Sequence, residues 1–503
     1  MKSFVKAVFI LTIFSTITRF MGFIFHIYLS RELGAEMLGL YQVASSFIGI
    51  LMTIVCSGIP LTTAKLTSKY IYLGDVKHKH KVGGSAMVIA LGLSVVLCAI
   101  VYLARGLFNH IFADQRCVEI MILMLPAVIY SATYCVFRGV MWGENRFFSV
   151  SITELFEQIV RIVLTVVLIK TLADHSQATL AVSRAFSIAC LSSAVLAGVL
   201  FFKFKNKLNF NKGEYVNVLT SSSAITGIRL TSSLTAPIAS VIVPAQLIAS
   251  GLTSSQALSL YGVMMGMTTP LLYVPMSFIG SLGMALVPNL AGNLAKGNYA
   301  SIRTSLKKCF AVVLYLSIMF IPVFLAVGKS ITSWLYHNQM AGLLLQQSAI
   351  LVLPIAIMGM SNSILNGMSL EKKSFWNYLI GSAILLVVLL VCTRSLGIQS
   401  VILATGLSTG TISVLNIRLL YKFVPDLNLG LLRDLGKYAI ICLPTTLLGV
   451  WLHNLFCIIM HSLISAILCS LVMVVLYTLL ACVIGLFSLE QLHIRRKEMK
   501  KAV

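Results

Sequence analysis

Long apolar runs alternate with short polar breaks along the whole chain. Fourteen such runs can be delimited, each bounded by charged residues or by Gly- and Pro-containing segments. A helix needs about 20 mainly apolar residues to cross a bilayer. The pattern therefore predicts an all-α polytopic membrane protein with about 14 transmembrane helices. The predicted spans cover residues 5–29, 41–64, 84–104, 118–138, 152–170, 180–202, 218–248, 257–289, 309–328, 343–366, 377–393, 400–421, 435–453 and 461–487.

Basic residues alternate between successive loops. With the N-terminus placed inside, 28 of the 38 Lys and Arg residues fall in segments predicted to be cytoplasmic, Arg138 among them. Six fall in outer segments and four lie within helices. Cytoplasmic loops of membrane proteins carry such an excess of positive charge. The alternation predicts an even number of helices with both ends in the cytoplasm, in a multi-pass protein of the cytoplasmic membrane.

Composition supports the bilayer as the main partner. The chain is 58% hydrophobic and only 11% charged, which is too little charge to cover a soluble protein of 503 residues. The net charge of +23 is explained by the inner loops, so no nucleic-acid partner is expected. The 11 cysteines are scattered without a C-x-x-C pair, and no nucleotide-binding or zinc-protease motif occurs. We expect no metal, no cofactor, no catalytic residue and no enzyme activity.

An internal repeat divides the chain. Residues 122–126 are matched at an offset of 228 by residues 350–354, and Gly139 is matched by Gly367 at the same offset. Transporters often arise from such repeats, with the substrate site at the repeat interface. The predicted organisation is two six-helix lobes at 1–205 and 218–425, a cytoplasmic linker at 206–217, helices thirteen and fourteen at 426–488, and a basic cytoplasmic tail at 489–503.

The first helix of each predicted lobe contains one arginine. Arg19 and Arg229 lie within apolar runs, where a charge costs about 2.5–3.5 kcal/mol on insertion scales. Each shares a helix face with hydroxyl or imidazole groups, because residues three or four apart are neighbours on a helix. We expect these residues to line a water-filled cavity: Ser15 and His26 beside Arg19, and Ser222, Thr226 and Ser233 beside Arg229.

Two interpretations of these arginines remain open. In the first, Arg19 and Arg229 face each other across a central cavity and bind a diphosphate, since a guanidinium pairs bidentately with phosphate oxygens. In the second, each arginine is neutralised by a buried carboxylate or by helix carbonyl groups. The equivalent place of the two residues in the two lobes favours binding of an anionic substrate.

The fifth predicted helix also carries charges. Glu157 and Arg161 are four residues apart, a spacing that allows an ion pair along one helix. The alternative is that Glu154 or Glu157 binds a proton or cation that couples to transport, with Arg161 beside it. Both interpretations stay open at this point.

Several segments resemble a known family, in this order along the chain: Thr18-Arg19-Phe20-Met21-Gly22, Leu33-Gly34-Ala35-Glu36, Gly39-Leu40-Tyr41-Gln42, Gly58-Ile59-Pro60, Glu157-Gln158, Pro270-Leu271-Leu272 and Leu286-Val287-Pro288. Their order resembles the stage V sporulation protein B and polysaccharide flippase family, within the superfamily of MATE exporters and MurJ-type flippases. One departure is Pro244-Ala245-Gln246, where that family often has a pair of arginines.

The resemblance implies alternating access by two six-helix lobes with two extra helices. It implies an anionic polyprenyl-linked sugar as substrate, such as lipid II, for peptidoglycan or spore cortex. Arg19 and Arg229 look like the cavity arginines of MurJ-type relatives. Two alternatives are a MATE-type cation-coupled drug exporter, which needs a free acid in the cavity, and a non-transporting scaffold for cell-wall synthesis enzymes.

Overall fold

The computed structural model describes residues 2–171 and 177–486. The predicted basic tail at 489–503 lies outside these ranges. Every regular element within them is helical, as predicted for an all-α protein. By their contacts the residues divide into two compact units, 1–262 and 263–503. Residues 218–262, which the repeat assigns to the second lobe, belong to the first unit; the lobe boundaries themselves stay a prediction.

The first unit contains ten α-helices within its described residues. They are α1 (Lys2–Cys56), α2 (Ile59–Tyr72), α3 (Val76–Leu103), α4 (Arg105–Ile111), α5 (Arg116–Gly143), α6 (Phe147–Thr171), α7 (Ala178–Lys203), α8 (Lys212–Ser233), α9 (Thr235–Ala249) and α10 (Ser254–Gly262).

Helix α5 is the centre of this unit. It packs against α1, α2, α3 and α7, while α8 lies against α1, α2 and α3. Its buried side chains are apolar or small, for example Met121, Met124 and Val136, which are almost fully enclosed. Burial on several sides matches its continuous apolar run, because a helix that is hydrophobic all round must be covered all round.

The second unit begins with a π-helical segment, Val263–Thr268. Its α-helices in the described part are α11 (Thr269–Leu272), α12 (Val274–Ala295), α13 (Tyr299–Tyr336), α14 (Gln339–Ser348), α15 (Val352–Gly367), α16 (Glu371–Leu396), α17 (Gln399–Phe423), α18 (Leu431–Ile459) and α19 (Ser462–Val483). Helix α13 is central here, since α12, α14, α15, α18 and α19 all pack on it.

Helices α18 and α19, which the repeat left outside both lobes, are held by an apolar cluster. Val323 and Val327 of α13 pack with Ala466, Cys469 and Met473 of α19. All five side chains are buried. The two extra helices are therefore an integral part of the second unit.

The first predicted span and most of the second lie in one kinked helix, α1. The expected loop between residues 29 and 41 is reduced to Gly34, whose φ of 69° lies in the left-handed region that glycine adopts without strain. The sequence predicted a break but not that one residue makes it. A straight helix of 55 residues would be about 80 Å long at 1.5 Å per residue, which is far more than the thickness of one bilayer. Helix α1 is therefore long enough for two membrane spans.

Eleven helices in the described part are long and apolar enough to cross a membrane, or twelve if the bent pair Ser254–Leu272 and Val274–Gly280 is one span. This number counts Ile13–Tyr72 once and does not include α6, which carries Glu154, Glu157 and Arg161. The multi-span helical architecture is confirmed. The number fourteen and the cytoplasmic position of both ends stay predictions.

Close backbone packing joins α1 to α10. A Cβ atom added to Gly39 would overlap the backbone of Leu258, and one added to Gly262 would overlap the backbone of Ala35. Small residues spaced by four allow two helices to approach this closely inside a membrane. Beside this contact Glu36 binds both Arg116 and the hydroxyl of Ser255, so polar bonds and close packing occur together.

We expect Gly39→Ala to lower the thermal stability of the purified protein, because overpacking costs about 1–3 kcal/mol. Gly49→Ala in the same helix is the matched control, since a Cβ at Gly49 would meet no atom within 4 Å. Alanine favours helix over glycine by about 1 kcal/mol, so the control should be unchanged or more stable. Thermal unfolding in detergent measures both; equal shifts for the two variants would contradict the close packing.

Candidate functional site

Arg19 lies midway along the first half of α1 with an exposed side chain. The large apolar residues Ile13, Ile17, Phe20 and Ile24 are also exposed, by 40–64%, and form one stripe. At about 100° of rotation per residue, Ser15, Arg19 and His26 lie on the far side of the helix from this stripe. The apolar stripe suits contact with hydrocarbon, so the guanidinium is directed away from that surface.

The polar face of α1 adjoins α6. A Cβ added to Gly22 would lie 3.8 Å from the side-chain nitrogen of Gln158, which is itself only 8% exposed. His26 follows one turn later, and its Nδ1 is buried without a hydrogen-bond partner in the described part of the chain. The face predicted from the sequence is thus a continuous polar strip, bordered by a buried amide.

Arg229 of α8 also has an exposed side chain. The exposed Val216 lies on the far side of this helix, about 140° away at 100° per residue, whereas the exposed Leu219 lies only about 80° away. The backbone carbonyl of Arg229 accepts hydrogen bonds from the hydroxyls of Ser232 and Ser233 at 2.7 and 2.9 Å. Arg19 and Arg229 both belong to the first unit, in which α1 and α8 are in contact.

Neither guanidinium has an ion pair within residues 2–171 and 177–486. The carboxylate form of the second interpretation is therefore not found in that part of the chain. A charge in a membrane needs water, a counter-ion or a ligand. An anion-binding role is the chemistry that two unpaired guanidinium groups can supply.

The hydroxyl residues of α8 divide into two groups. Ser222 is only 4% exposed and Thr226 accepts a hydrogen bond from Ser57 at 3.4 Å, so both contact the junction of α1 and α2. Ser233 is partly exposed beside Arg229. Ser15 is partly exposed on α1. Their role in lining a cavity stays a prediction, and Ser233 and Ser15 fit it better than the packed Ser222.

Hydroxyl content alone does not require a water-filled cavity here. Ten of the 21 residues 220–240 are Ser or Thr. Many of them donate to a carbonyl three or four residues earlier, for example Thr231 to Gly227 and Ser240 to Pro237. This local bonding lets a hydroxyl sit in apolar surroundings without an unsatisfied donor. A water-filled cavity is therefore indicated by the two arginines and not by the hydroxyl groups.

The charges of α6 are paired. Arg161 binds the Glu157 carboxylate, as the spacing of four allowed, and its guanidinium lies 4.8 Å from the ring centre of Phe186. Glu154 binds Arg138 at 3.3 Å and is near the hydroxyl of Tyr134 at 3.4 Å. Each carboxylate on α6 thus has its own arginine.

Arg138 is the residue that the sequence analysis missed, since it was assigned to a cytoplasmic segment. It lies within α5, and its guanidinium lies 4.7 Å from the Trp142 ring and 5.6 Å from that of Tyr134. The signal was present in the sequence, because residues 134, 138 and 142 share one helix face and aromatic rings attract a guanidinium.

No group of three metal-ligating side chains occurs in the described ranges.

Comparison with known proteins assigns the chain to a family. A family model described as polysaccharide biosynthesis protein matches residues 4–294. Stage V sporulation protein B of Bacillus subtilis (strain 168) is 23% identical over 447 residues, 84% of this chain and 85% of that protein. Lipid II flippase MurJ of the same organism is 22% identical over 445 residues, 80% and 79% of the two chains.

Two solved transporter structures resemble this chain over most of its length. A lipid II flippase MurJ in an inward closed conformation matches with a TM-score of 0.71 and 15% identity, over 93% of this chain and 97% of that one. An inward-facing multidrug resistance MATE family transporter matches with a TM-score of 0.65 and 13% identity, over 82% and 97%. At such identity the likeness shows the fold.

The predicted resemblance to this family is confirmed, as is the prediction of a membrane transporter and not an enzyme. Several helices long enough to span a bilayer agree with this placement. Because the family model covers more than half of the chain, the protein belongs to the polysaccharide biosynthesis protein family and is a multi-pass protein of the cell membrane.

Proposed function

We propose that this protein is a flippase that moves an undecaprenyl-diphosphate-linked sugar precursor of the cell wall, of the lipid II type, across the cytoplasmic membrane by alternating access. The observation that carries the proposal is that Arg19 and Arg229 are exposed and form no ion pair within the described ranges. Their helices, α1 and α8, are in contact. A diphosphate is the group of this substrate that two guanidinium groups bind best, since each can form two parallel hydrogen bonds to phosphate oxygens.

In this mechanism the sugar headgroup enters a cavity on the inner side while the polyprenyl tail stays in lipid. Arg19 and Arg229 hold the diphosphate, and Ser15, His26 and Ser233 contact the headgroup. An unaided diphosphate would cross hydrocarbon with its charges bare, at a Born cost on the order of tens of kcal/mol. The arginines remove most of this cost, because they replace water around the phosphate oxygens.

The membrane potential acts on the net charge that the loaded carrier moves. For a dianion moved without compensating charge, an inside-negative potential favours outward movement by about 4–5 kcal/mol per 100 mV, from about 2.3 kcal/mol per charge. No nucleotide-binding motif is required. A role in peptidoglycan or spore-cortex synthesis, beside cell-wall synthesis enzymes, fits the relatives named stage V sporulation protein B and lipid II flippase MurJ.

The alternatives have less support. A MATE-type exporter of cationic drugs needs an unpaired acid in its cavity, whereas Glu154 and Glu157 are each bound to an arginine. A scaffold that does not transport has no use for two unpaired charges at a depth where each is costly.

We expect Arg19→Ala and Arg229→Ala each to reduce transfer of fluorescent lipid II in proteoliposomes by at least about tenfold, since a hydrogen bond to a charged group contributes about 1.5–3 kcal/mol. The lysine variants should retain an intermediate rate, because lysine keeps the charge but not the planar fork. Arg184→Ala is the matched control, an exposed helical arginine outside the proposed site. Wild-type rates in both alanine variants, with normal protein levels, would remove the mechanism.

A second experiment separates a structural from a coupling role for α6. Glu157→Gln leaves Arg161, which is partly buried, without its ion-pair partner, and this destabilises the folded state. Transfer should fall in this single variant and recover in the double variant Glu157→Gln/Arg161→Gln, because no isolated charge remains. Loss of transfer in the double variant at wild-type thermal stability would instead assign Glu157 to ion coupling, and a parallel drug-resistance assay tests the exporter alternative.

A further inference from the structure

A cavity of about 620 Å³ lies at the segment between α7 and α8, in the predicted cytoplasmic linker. It uses none of the residues assigned to the substrate. Two lysines, two asparagines and two apolar residues line it: Phe202, Lys205, Asn206, Lys207, Leu208 and Asn209.

The linker is held firmly against the start of α3. The backbone N–H of Asn209 donates to the carbonyl of His80 at 3.2 Å, and that of Lys207 donates to Nδ1 of His80 at 3.0 Å. A Cβ added to Gly84 would overlap the backbone of Asn209, so glycine at this position permits the close approach. The cavity wall is thus built by fixed contacts within the first unit.

Asn206 is the unusual residue of this cavity. It is 3% exposed, and neither Nδ2 nor Oδ1 has a hydrogen-bond partner in the described part of the chain. A buried polar group left without a hydrogen bond destabilises the folded state. A side-chain amide can both donate and accept, so a ligand carrying oxygen atoms and hydroxyl groups would satisfy it.

The charges around the cavity are unbalanced. Lys205 and Lys207 are exposed and have no ion pair within the described ranges. The carboxylates of neighbouring elements are occupied elsewhere: Glu144 binds Lys79 and Arg146, and Glu214 accepts from Tyr70. The cavity therefore presents net positive charge beside an unsatisfied amide, which selects an anion.

The position of the cavity indicates a lipid. Candidate span α7 ends at Lys203, directly beside the residues that line the cavity. Phe202 is 57% exposed and lines the cavity together with Leu208, which adds apolar surface next to the lysines. Basic side chains directly beyond a membrane span attract the anionic headgroups of the adjacent leaflet.

We propose that this cavity binds the phosphate headgroup of an anionic phospholipid, with Lys205 and Lys207 contacting the phosphate and the Asn206 amide bonding the polar headgroup. The site is separate from the proposed diphosphate site. Occupancy of this cavity, in the segment that joins α7 to α8, therefore depends on the lipid composition of the membrane.

The test uses the full-length protein in detergent, titrated with phosphatidylglycerol or phosphatidylcholine. Bound lipid is counted by native mass spectrometry and stability is followed by thermal unfolding. We expect phosphatidylglycerol to bind in preference and to raise the melting temperature, since a ligand that binds only the folded state stabilises it. Equal binding of the two lipids would overturn the proposal.

Lys205→Gln/Lys207→Gln should reduce phosphatidylglycerol binding by about tenfold or more, given a contribution of about 1 kcal/mol per basic residue near an anionic surface. The matched control is Lys296→Gln/Lys372→Gln, two exposed lysines on the same predicted side of the membrane. The Arg19→Ala and Arg229→Ala variants should bind phosphatidylglycerol normally, so failure of this site and failure of the flippase proposal are distinguishable. Unchanged preference in the Lys205/Lys207 variant would overturn the assignment.

Asn206→Leu tests the amide independently of charge. Leucine is similar in size and carries no polar atoms, so the variant should be more stable than wild type without lipid and should lose the stabilisation by phosphatidylglycerol. Glycerol 3-phosphate is the soluble probe of the same chemistry. If it stabilises the wild type as strongly as the lipid does, the ligand is a free phosphate ester and the lipid assignment is wrong.

Discussion

A guanidinium group inside a bilayer is costly unless water, a counter-charge or a ligand surrounds it, and this constraint governs the functional half of the molecule. Arg19 and Arg229 have no carboxylate partner within residues 2–171 and 177–486, and Arg19 lies on the side of α1 away from its exposed apolar side chains. That arrangement keeps the charge available for an anion while hydrocarbon meets the apolar stripe. A neutralised arginine would be stable but could not bind a diphosphate.

The charges of α6 differ from those of Arg19 and Arg229, because each carboxylate of α6 is paired with an arginine. Glu157 and Arg161 neutralise each other, and Glu154 is neutralised by Arg138, whose guanidinium also contacts two aromatic rings. Each of these partly buried pairs keeps its charges neutralised. Arg19 and Arg229 have no ion pair in the described part of the chain, so in the proposed transport cycle they are free to bind and release an anion.

Lipid enters the proposed function at two depths. The flippase mechanism places a diphosphate at mid-membrane arginines, and the linker cavity places a phospholipid phosphate at Lys205 and Lys207, beyond the end of α7. Lysine is a strongly hydrated point charge, whereas the planar guanidinium can bind phosphate oxygens bidentately.

The sequence alone determined that the protein is helical and membrane-spanning, that Arg19 and Arg229 lie within helices, and that Glu157 and Arg161 are spaced to allow an ion pair, because hydrophobic period and helix spacing are local properties. It did not determine that one residue, Gly34, joins two spans, that Ser222 packs on the α1–α2 junction, or that Arg138 reaches Glu154. Those outcomes depend on which helices become neighbours, and only tertiary packing decides whether a polar side chain meets a partner or remains free.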